Sequence, residues 1–287
     1  QKIIPGTRVA VKFGSRSKLG IVTEEIKGTT IQTKTIHQVL DNEPIFSVVE
    51  LKILAWASDY YHHPIGEVLG SFLPTNLRNI KTVMDDMDSV AKVDIENNPF
   101  QKNLTSQQTK AVKTLSELRG FAPTLLYGVT GSGKTEVYIR CIQEQLLQQK
   151  SVLLLAPEIA LTPQLEQRVK DQFGPAVGMY HSKMTPAKRY KAWKQFRSGE
   201  INILIGTRSA AMMSAPKLGL IIIDEEHDAS YKQQSGLRYS ARDLSLVRAA
   251  NNGISVILGS ATPSFETLMN VEKKKYRQTV LKKRVLL

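Results

Sequence analysis

Cysteine is nearly absent. Cys141 is the single one in 287 residues, so the chain forms no internal disulfide and builds no cysteine-rich zinc site. It falls in a helix-like stretch, where a packed, inert thiol is the ordinary role. Long hydrophobic runs are lacking too: none approaches the roughly 18 apolar residues that cross a bilayer, and no signal-peptide pattern opens the chain. A cytoplasmic protein with no membrane partner is therefore expected. The opening residue, Gln1 rather than Met, reads as the start of an excised piece. Acidic residues are scarce in one part only. Residues 1–103 carry 12 Lys+Arg and 12 Asp+Glu, whereas residues 104–287 carry 27 and 14, so the whole net charge of +13 sits in the second part. That imbalance favours a polyanionic partner, nucleic acid above all, with solubility as the plainer explanation.

The most informative stretch is Gly128 Val129 Thr130 Gly131 Ser132 Gly133 Lys134 Thr135, which fits the phosphate-binding pattern G-x-x-x-x-G-K-[ST] at every fixed position. It follows the apolar run Thr124–Tyr127 and precedes a helix-like segment. Gly128, Gly131 and Gly133 let the backbone turn tightly, so that N–H groups around Ser132 and the helix start converge on a polyphosphate. Lys134 would reach the terminal phosphates of ATP, and the Thr135 hydroxyl would bind Mg²⁺. A glycine-rich turn that merely caps a helix is the alternative.

Ahead of that motif, Val9, Val11 and Phe13 alternate with Ala10 and Lys12, the period of a half-buried strand. Further strands are expected at Leu19–Thr23, Thr29–Thr33 and Lys34–Leu40, punctuated by glycines, giving a small antiparallel sheet or barrel. Apolar residues from Pro44 to Tyr61 recur at helical spacing, and Pro64 is expected to end that helix. Tyr60, Tyr61, His62 and His63 read as packing near a helix end, because adjacent histidines point apart and no further ligand is suitably spaced. From Leu77 to Phe100 the sequence is acidic and weakly patterned, as a connector would be.

From Leu104 onward strand-length apolar runs alternate with helical segments, the signature of a parallel sheet covered on both faces. Strands are predicted at Thr124–Tyr127, Ser151–Ala156, Ala176–Tyr180, Ile203–Ile205, Leu220–Asp224 and Ser255–Gly259. Ligands in such folds bind at strand carboxyl ends. The run Leu220–Ile223 delivers Asp224 and Glu225 at its tip: Asp224 would hold Mg²⁺ through water, and Glu225 would deprotonate the water that attacks the γ-phosphate. An acidic surface turn is the competing reading. Between Asp228 and Arg242, Tyr231, Lys232, Arg238 and Tyr239 combine aromatic faces on which bases stack with cations that hold a nucleic-acid backbone, although an ordered surface loop would look the same.

Asp224 Glu225 Glu226 His227 with Gly259 Ser260 Ala261 Thr262 Pro263 resembles motifs II and III of superfamily 2 helicases of the DExH type. The resemblance implies that His227, Ser260 and Thr262 couple nucleotide state to DNA grip. Leu104–Gln108 looks like the family's adenine-reading motif, with Gln108 meeting the base; Thr105 also suits a helix cap. Ala156–Thr162 and Ile205–Ala210 resemble motifs Ia and Ib, which touch the backbone of single-stranded DNA, here through Arg208. Asp224–Gln234, Arg238–Asp243, Tyr60–Val68 and Val11–Gly14 are together similar to the bacterial replication-restart helicases.

Membership of that family implies a RecA-like P-loop NTPase lobe preceded by a small, mainly β DNA-binding domain with helices. The expected division is 1–76 for a 3′-end DNA-binding domain, 77–103 for a connector where the family carries a winged helix, and 104–287 for the first helicase lobe. It further implies an ATP-dependent 3′-to-5′ DNA helicase that recognises abandoned replication forks and restarts replication near the nucleoid. Its expected partners are forked and single-stranded DNA, single-strand DNA-binding protein, and primosome and helicase-loading proteins. By alignment Gly14 and Lys34 fall where the family pockets a DNA 3′ end, and Tyr231–Tyr239 is its aromatic-rich coupling loop. The family's Zn²⁺ module and the second lobe with its arginine finger lie beyond Leu287, so this piece is expected to bind nucleotide but hydrolyse it poorly. A fork-binding scaffold with a switching, non-catalytic nucleotide site is the rival from another class. Glu225 argues against it, since a switch needs no base.

Overall fold

The computed structural model describes residues 3–28, 33–82, 84, 103–157 and 163–285. Residues 29–32 of the strand expected at Thr29–Thr33, most of the connector and the motif-Ia residues 158–162 lie outside them. The front part opens with β1 (Arg8–Phe13), β2 (Arg16–Ile21) and β3 (Ile36–Val39), an antiparallel sheet in the order β2-β1-β3. The β1–β2 register pairs Phe13 with Arg16, so Gly14, at φ +62°, takes a left-handed place in the two-residue turn. Buried Arg8 ties this sheet to the chain that follows: its guanidinium pairs with Asp41 and donates to the carbonyls of Leu77 and Thr82.

Two helices come next, α1 (Val48–Tyr60) and α2 (Ile65–Phe72). Ser47 starts α1 in a capping box, accepting from the Glu50 N–H while Glu50 accepts from the Ser47 N–H. The helix stops before Pro64. His62 turns left-handed (φ 49°), and Pro64 stands at the N-cap of α2, which the sequence reading did not anticipate. The aromatic run does pack structurally: Tyr60 stacks on Trp56 at 4.9 Å, Tyr61 meets both edge-on, and His63 pairs with Glu67.

The second part alternates α3 (Ser106–Ser116), β4 (Pro123–Gly128), α4 (Lys134–Leu147), β5 (Ser151–Leu155), α5 (Pro163–Phe173), β6 (Val177–Tyr180), α6 (Pro186–Ser198), β7 (Ile203–Gly206), β8 (Leu218–Ile223), α7 (Ala241–Asn252), β9 (Ser255–Ser260), α8 (Phe265–Glu272) and β10 (Arg277–Leu281). Its seven strands are all parallel, in the order β10-β4-β9-β8-β5-β7-β6. Every strand expected from the apolar runs is present, and β10 is an unanticipated edge strand. Because successive strand residues point to opposite faces, Leu153, Leu155, Leu204, Ile221 and Ile223 join one core cluster, while Val152, Leu154, Ile203, Ile205, Leu220 and Ile222 join the other.

The first cluster also contains Ile45, Phe46, Leu51, Leu54, Val68 and Leu77, so α1 and α2 share a core with the lobe. Polar contacts reinforce the junction. Arg197 donates to the carbonyls of Pro44 and Ile45, and Ser214 donates to Glu50.

Candidate functional site

The loop after β4 has the backbone its sequence requires. Gly131 (φ +79°) and Gly133 (φ +76°) are left-handed, and Gly133 stands at the N-cap of α4 with no side chain of its own to block the helix start. A Cβ on Gly133 would meet Gln108 Nε2 at 2.3 Å, and one on Gly128 would meet Ser132 Oγ at 2.6 Å, so a side chain at either position would displace those groups. Ser132 is buried, with its Oγ lacking a hydrogen-bond partner.

Lys134 lies between the two motifs. Its Nζ donates to the Gly128 carbonyl at 3.2 Å and forms an ion pair with Glu225 at 3.2 Å. One turn further along α4, buried Tyr138 donates to Asp224 Oδ1 at 2.8 Å. Thr135 and Tyr138 are three residues apart and share a helix face, so the Thr135 side of α4 looks toward Asp224. The two acidic residues expected opposite the glycine turn are thus beside it. Glu225 sits at φ +43°, an uncommon conformation for a residue with a side chain, held by the turn that leaves β8. Burial pushes the Asp224 carboxyl above the ordinary aspartate range; the Tyr138 hydrogen bond and Lys134 pull it back, and neighbouring Glu225 adds to the rise.

His227 bridges to the end of β9: its Nδ1 is hydrogen-bonded to Ser260 Oγ at 2.8 Å and its Nε2 to Thr262 Oγ1 at 3.1 Å. All three coupling candidates are in one chain of contacts. Glu226, which sequence reasoning passed over, anchors the same turn. It is buried and accepts from the Ser264 N–H, from the hydroxyls of Ser264 and Thr267, and from Arg242 at 3.0 Å. Tyr138 was also missed. Neither carries a local signal, since their partners are 16 to 86 residues away.

Gln108, expected to meet a base, lies against the glycine turn. It is buried, its Oε1 accepts from the Thr105 N–H in a capping box, and its Nε2 donates to the carbonyls of Ser132 and Gly133. Tyr231 and Tyr239 do not present rings for stacking, being 2% and 7% exposed. The Tyr231 hydroxyl donates to the carbonyls of Leu155 and Asp224, and Tyr239 donates to the Arg208 carbonyl and packs edge-on against Phe72. Apolar surroundings reward burial of these rings once each hydroxyl has a partner. Arg208 clamps the same loop by donating to the carbonyls of Ser230 and Lys232. Lys232 and Arg238 remain exposed on it. At the β1–β2 hairpin Lys34 Nζ lies 5.9 Å from the ring centre of Phe13, which precedes Gly14 and is 74% exposed.

The fold and this site define a P-loop nucleotide-binding lobe. The sequence match agrees: the DEAD/DEAH box helicase family matches residues 105–271, and the chain belongs to that family. A 3′ DNA-binding domain, the one described for PriA, matches residues 1–74. The curated relatives are replication restart protein PriA. The Haemophilus influenzae protein is 35% identical over 97% of this chain and 48% of its own length, and a Helicobacter pylori protein is 37% identical over 96% and 42%. The chain therefore spans about half the length of the curated relatives it matches. Among solved structures, RecG bound to a three-way DNA junction aligns at TM-score 0.49 and 19% identity, over 81% of this chain and 29% of that one.

Proposed function

We propose that the chain is the ATP-binding part of a replication-restart DNA helicase, with residues 1–76 as its DNA-end domain, 77–103 as a connector and 104–287 as the first motor lobe. The observation that carries this is the meeting of Lys134 with Glu225 and of Tyr138 with Asp224 at adjoining strand tips. The glycine turn offers backbone N–H groups to phosphates, and Lys134 exchanges its Glu225 partner for the β- and γ-phosphates. Glu225 is then released as a base, taking a proton from the water that attacks the γ-phosphorus while the bond to the β-phosphate oxygen breaks. Mg²⁺ fits here: Thr135 and Asp224 are the residues that would hold it, and its charge would offset that of the phosphates. Mg²⁺ keeps several waters and takes substrate phosphates, so phosphate oxygens and water would complete its shell. A cation beside Asp224 would also reverse the burial penalty on its carboxylate.

His227 is the link from Glu225 to Ser260 and Thr262, and the buried carbonyl bonds of Tyr231 join the loop at Lys232 and Arg238 to the Asp224 strand tip. In this reading Arg208, Lys232 and Arg238 hold single-stranded DNA by its phosphates, Gly14 and Lys34 hold a strand's 3′ end, and Tyr231 and Tyr239 hold the loop in place. The polarity is 3′-to-5′, the substrate is a stalled fork, and single-strand DNA-binding protein and primosome proteins are the partners, in the cytoplasm. The relatives' shared name supports the restart role. In the intact helicase Lys134→Ala should abolish ATP-driven unwinding of a fork while leaving fork binding within about twofold. Unwinding that survives the substitution would refute the assignment.

A further inference from the structure

Away from the glycine turn, a cavity of about 360 Å³ lies where residues 44–50 meet the lobe. Glu50, Arg197, Ser214 and Arg248 line it, and exposed Ser47 and Asn252 open it to solvent. Its volume is near the lower end of ligand pockets, which run from about 300 to 1,000 Å³. The charged side chains around it are fixed. Arg248 is 2% exposed, and its two Nη groups donate to the carbonyls of Ala211 and Met213, both at 2.7 Å. The Nη groups of Arg197 are taken by Pro44 and Ile45, while its Nε is buried without a hydrogen-bond partner. Glu50 is committed as well: buried, it accepts from the Ser47 N–H at 2.8 Å and from the Ser214 hydroxyl at 2.6 Å.

Among the described residues neither guanidinium forms an ion pair, so two cations beside one cavity are compensated by carbonyl dipoles and, at a distance, by Glu50. Burial holds both below the ordinary arginine range. Glu50 offsets part of this in each, joined at Arg197 by Glu43 and Asp41. A buried charge without a contacting counterion is costly, and a guest of opposite sign lowers that cost where a neutral water does not. We propose that this cavity binds a small oxyanion, a phosphate or a carboxylate, between Arg197 and Arg248, with the Arg197 Nε–H as the donor still free to meet it. Guanidinium suits both acids, whose oxygens match the spacing of its N–H groups. The site is assembled from the start of α1, the end of α6, the turn before β8 and the end of α7. A bound anion would therefore fasten the front part to the lobe. Glu50 shares the cavity and repels the same guest.

The test is amide exchange of the purified protein in inorganic phosphate or in malonate, each compared with chloride at equal ionic strength. Anion binding should saturably slow exchange across residues 44–51 and 211–218, whatever happens at residues 131–135, which report the glycine turn separately. Protection by phosphate alone identifies a phosphate ligand, by malonate alone a carboxylate, and by both a site that takes either acid. Arg197→Met should weaken binding roughly tenfold, the loss of one charged hydrogen bond. Glu50→Gln, which keeps an acceptor for Ser214, should tighten it by removing the repelling charge. A merely loosened junction would weaken binding in both variants, so opposite signs separate the site from folding damage. No protection of the two segments by either anion, or affinities that fail to move in opposite directions in the two variants, would overturn the inference.

Discussion

Tyr138→Phe isolates one contact on which the site depends. The phenol is fully buried, its hydroxyl is 2.8 Å from Asp224 Oδ1, and the facing backbone is so close that a Cβ on Gly259 would lie 1.7 Å from the oxygen. Deleting the hydroxyl removes a hydrogen bond to an ionised group, a loss of about 1.5–3 kcal/mol. At roughly 2–4 °C per kcal/mol the melting temperature should fall by several degrees. The pH dependence follows from Asp224, whose carboxyl is already raised, chiefly by burial. A raised carboxyl carries its burial penalty above its folded pKa and sheds it as pH falls through that value. Without the hydroxyl the carboxyl rises further, so the deficit of the variant should be full at neutral pH and shrink on acidification. In an Asp224→Asn background the same substitution should cost only about 0.5–1.5 kcal/mol, the worth of a neutral bond. Thermal unfolding of the four proteins across pH measures this. A deficit independent of pH and equal in both backgrounds would mean that the hydroxyl matters only for packing.

Two further outcomes are expected. Glu226→Ala should cost about 1.5–3 kcal/mol, because Arg242, which keeps its pairing with Asp243, and the Ser264 N–H lose their shared acceptor; a melting temperature within a degree of the parent would contradict the anchoring role. Arg197→Met keeps the stem but removes the bonds to Pro44 and Ile45, so amide exchange at the start of α1 should accelerate about tenfold while that of α4 does not; uniform acceleration would point to global unfolding instead.

The reach of the sequence followed the range of the interactions. The glycine turn and the acidic strand tip were legible because each is contiguous, and the buried strands because parallel strands covered on both faces read as unbroken apolar runs. Strand β10 was missed because Arg277–Leu281 is an edge strand with mostly outward side chains, and α2 because Gly66 and Gly70 dilute its helical pattern. Composition alone could not show whether Tyr231 and Tyr239 face a base or the core; that was decided by Phe72, Leu155 and Arg208, all distant in sequence. Gln108 is ambiguous for a related reason. Its amide serves equally well as a base reader and as a clamp on the Ser132 and Gly133 carbonyls, and only the approach of α3 to the glycine turn distinguishes them. The Tyr138–Asp224 and Glu226–Arg242 contacts join motifs without belonging to either.

The most direct test is a structure with Mg²⁺ and a non-hydrolysable ATP analogue. The phosphates should lie along Gly131–Thr135, with the metal about 2.0–2.1 Å from Thr135 Oγ1, a metal-bound water on Asp224, and Lys134 turned from Glu225 to the terminal phosphates. A triphosphate bound elsewhere, or one that leaves the Lys134–Glu225 pair intact, would contradict the motor reading.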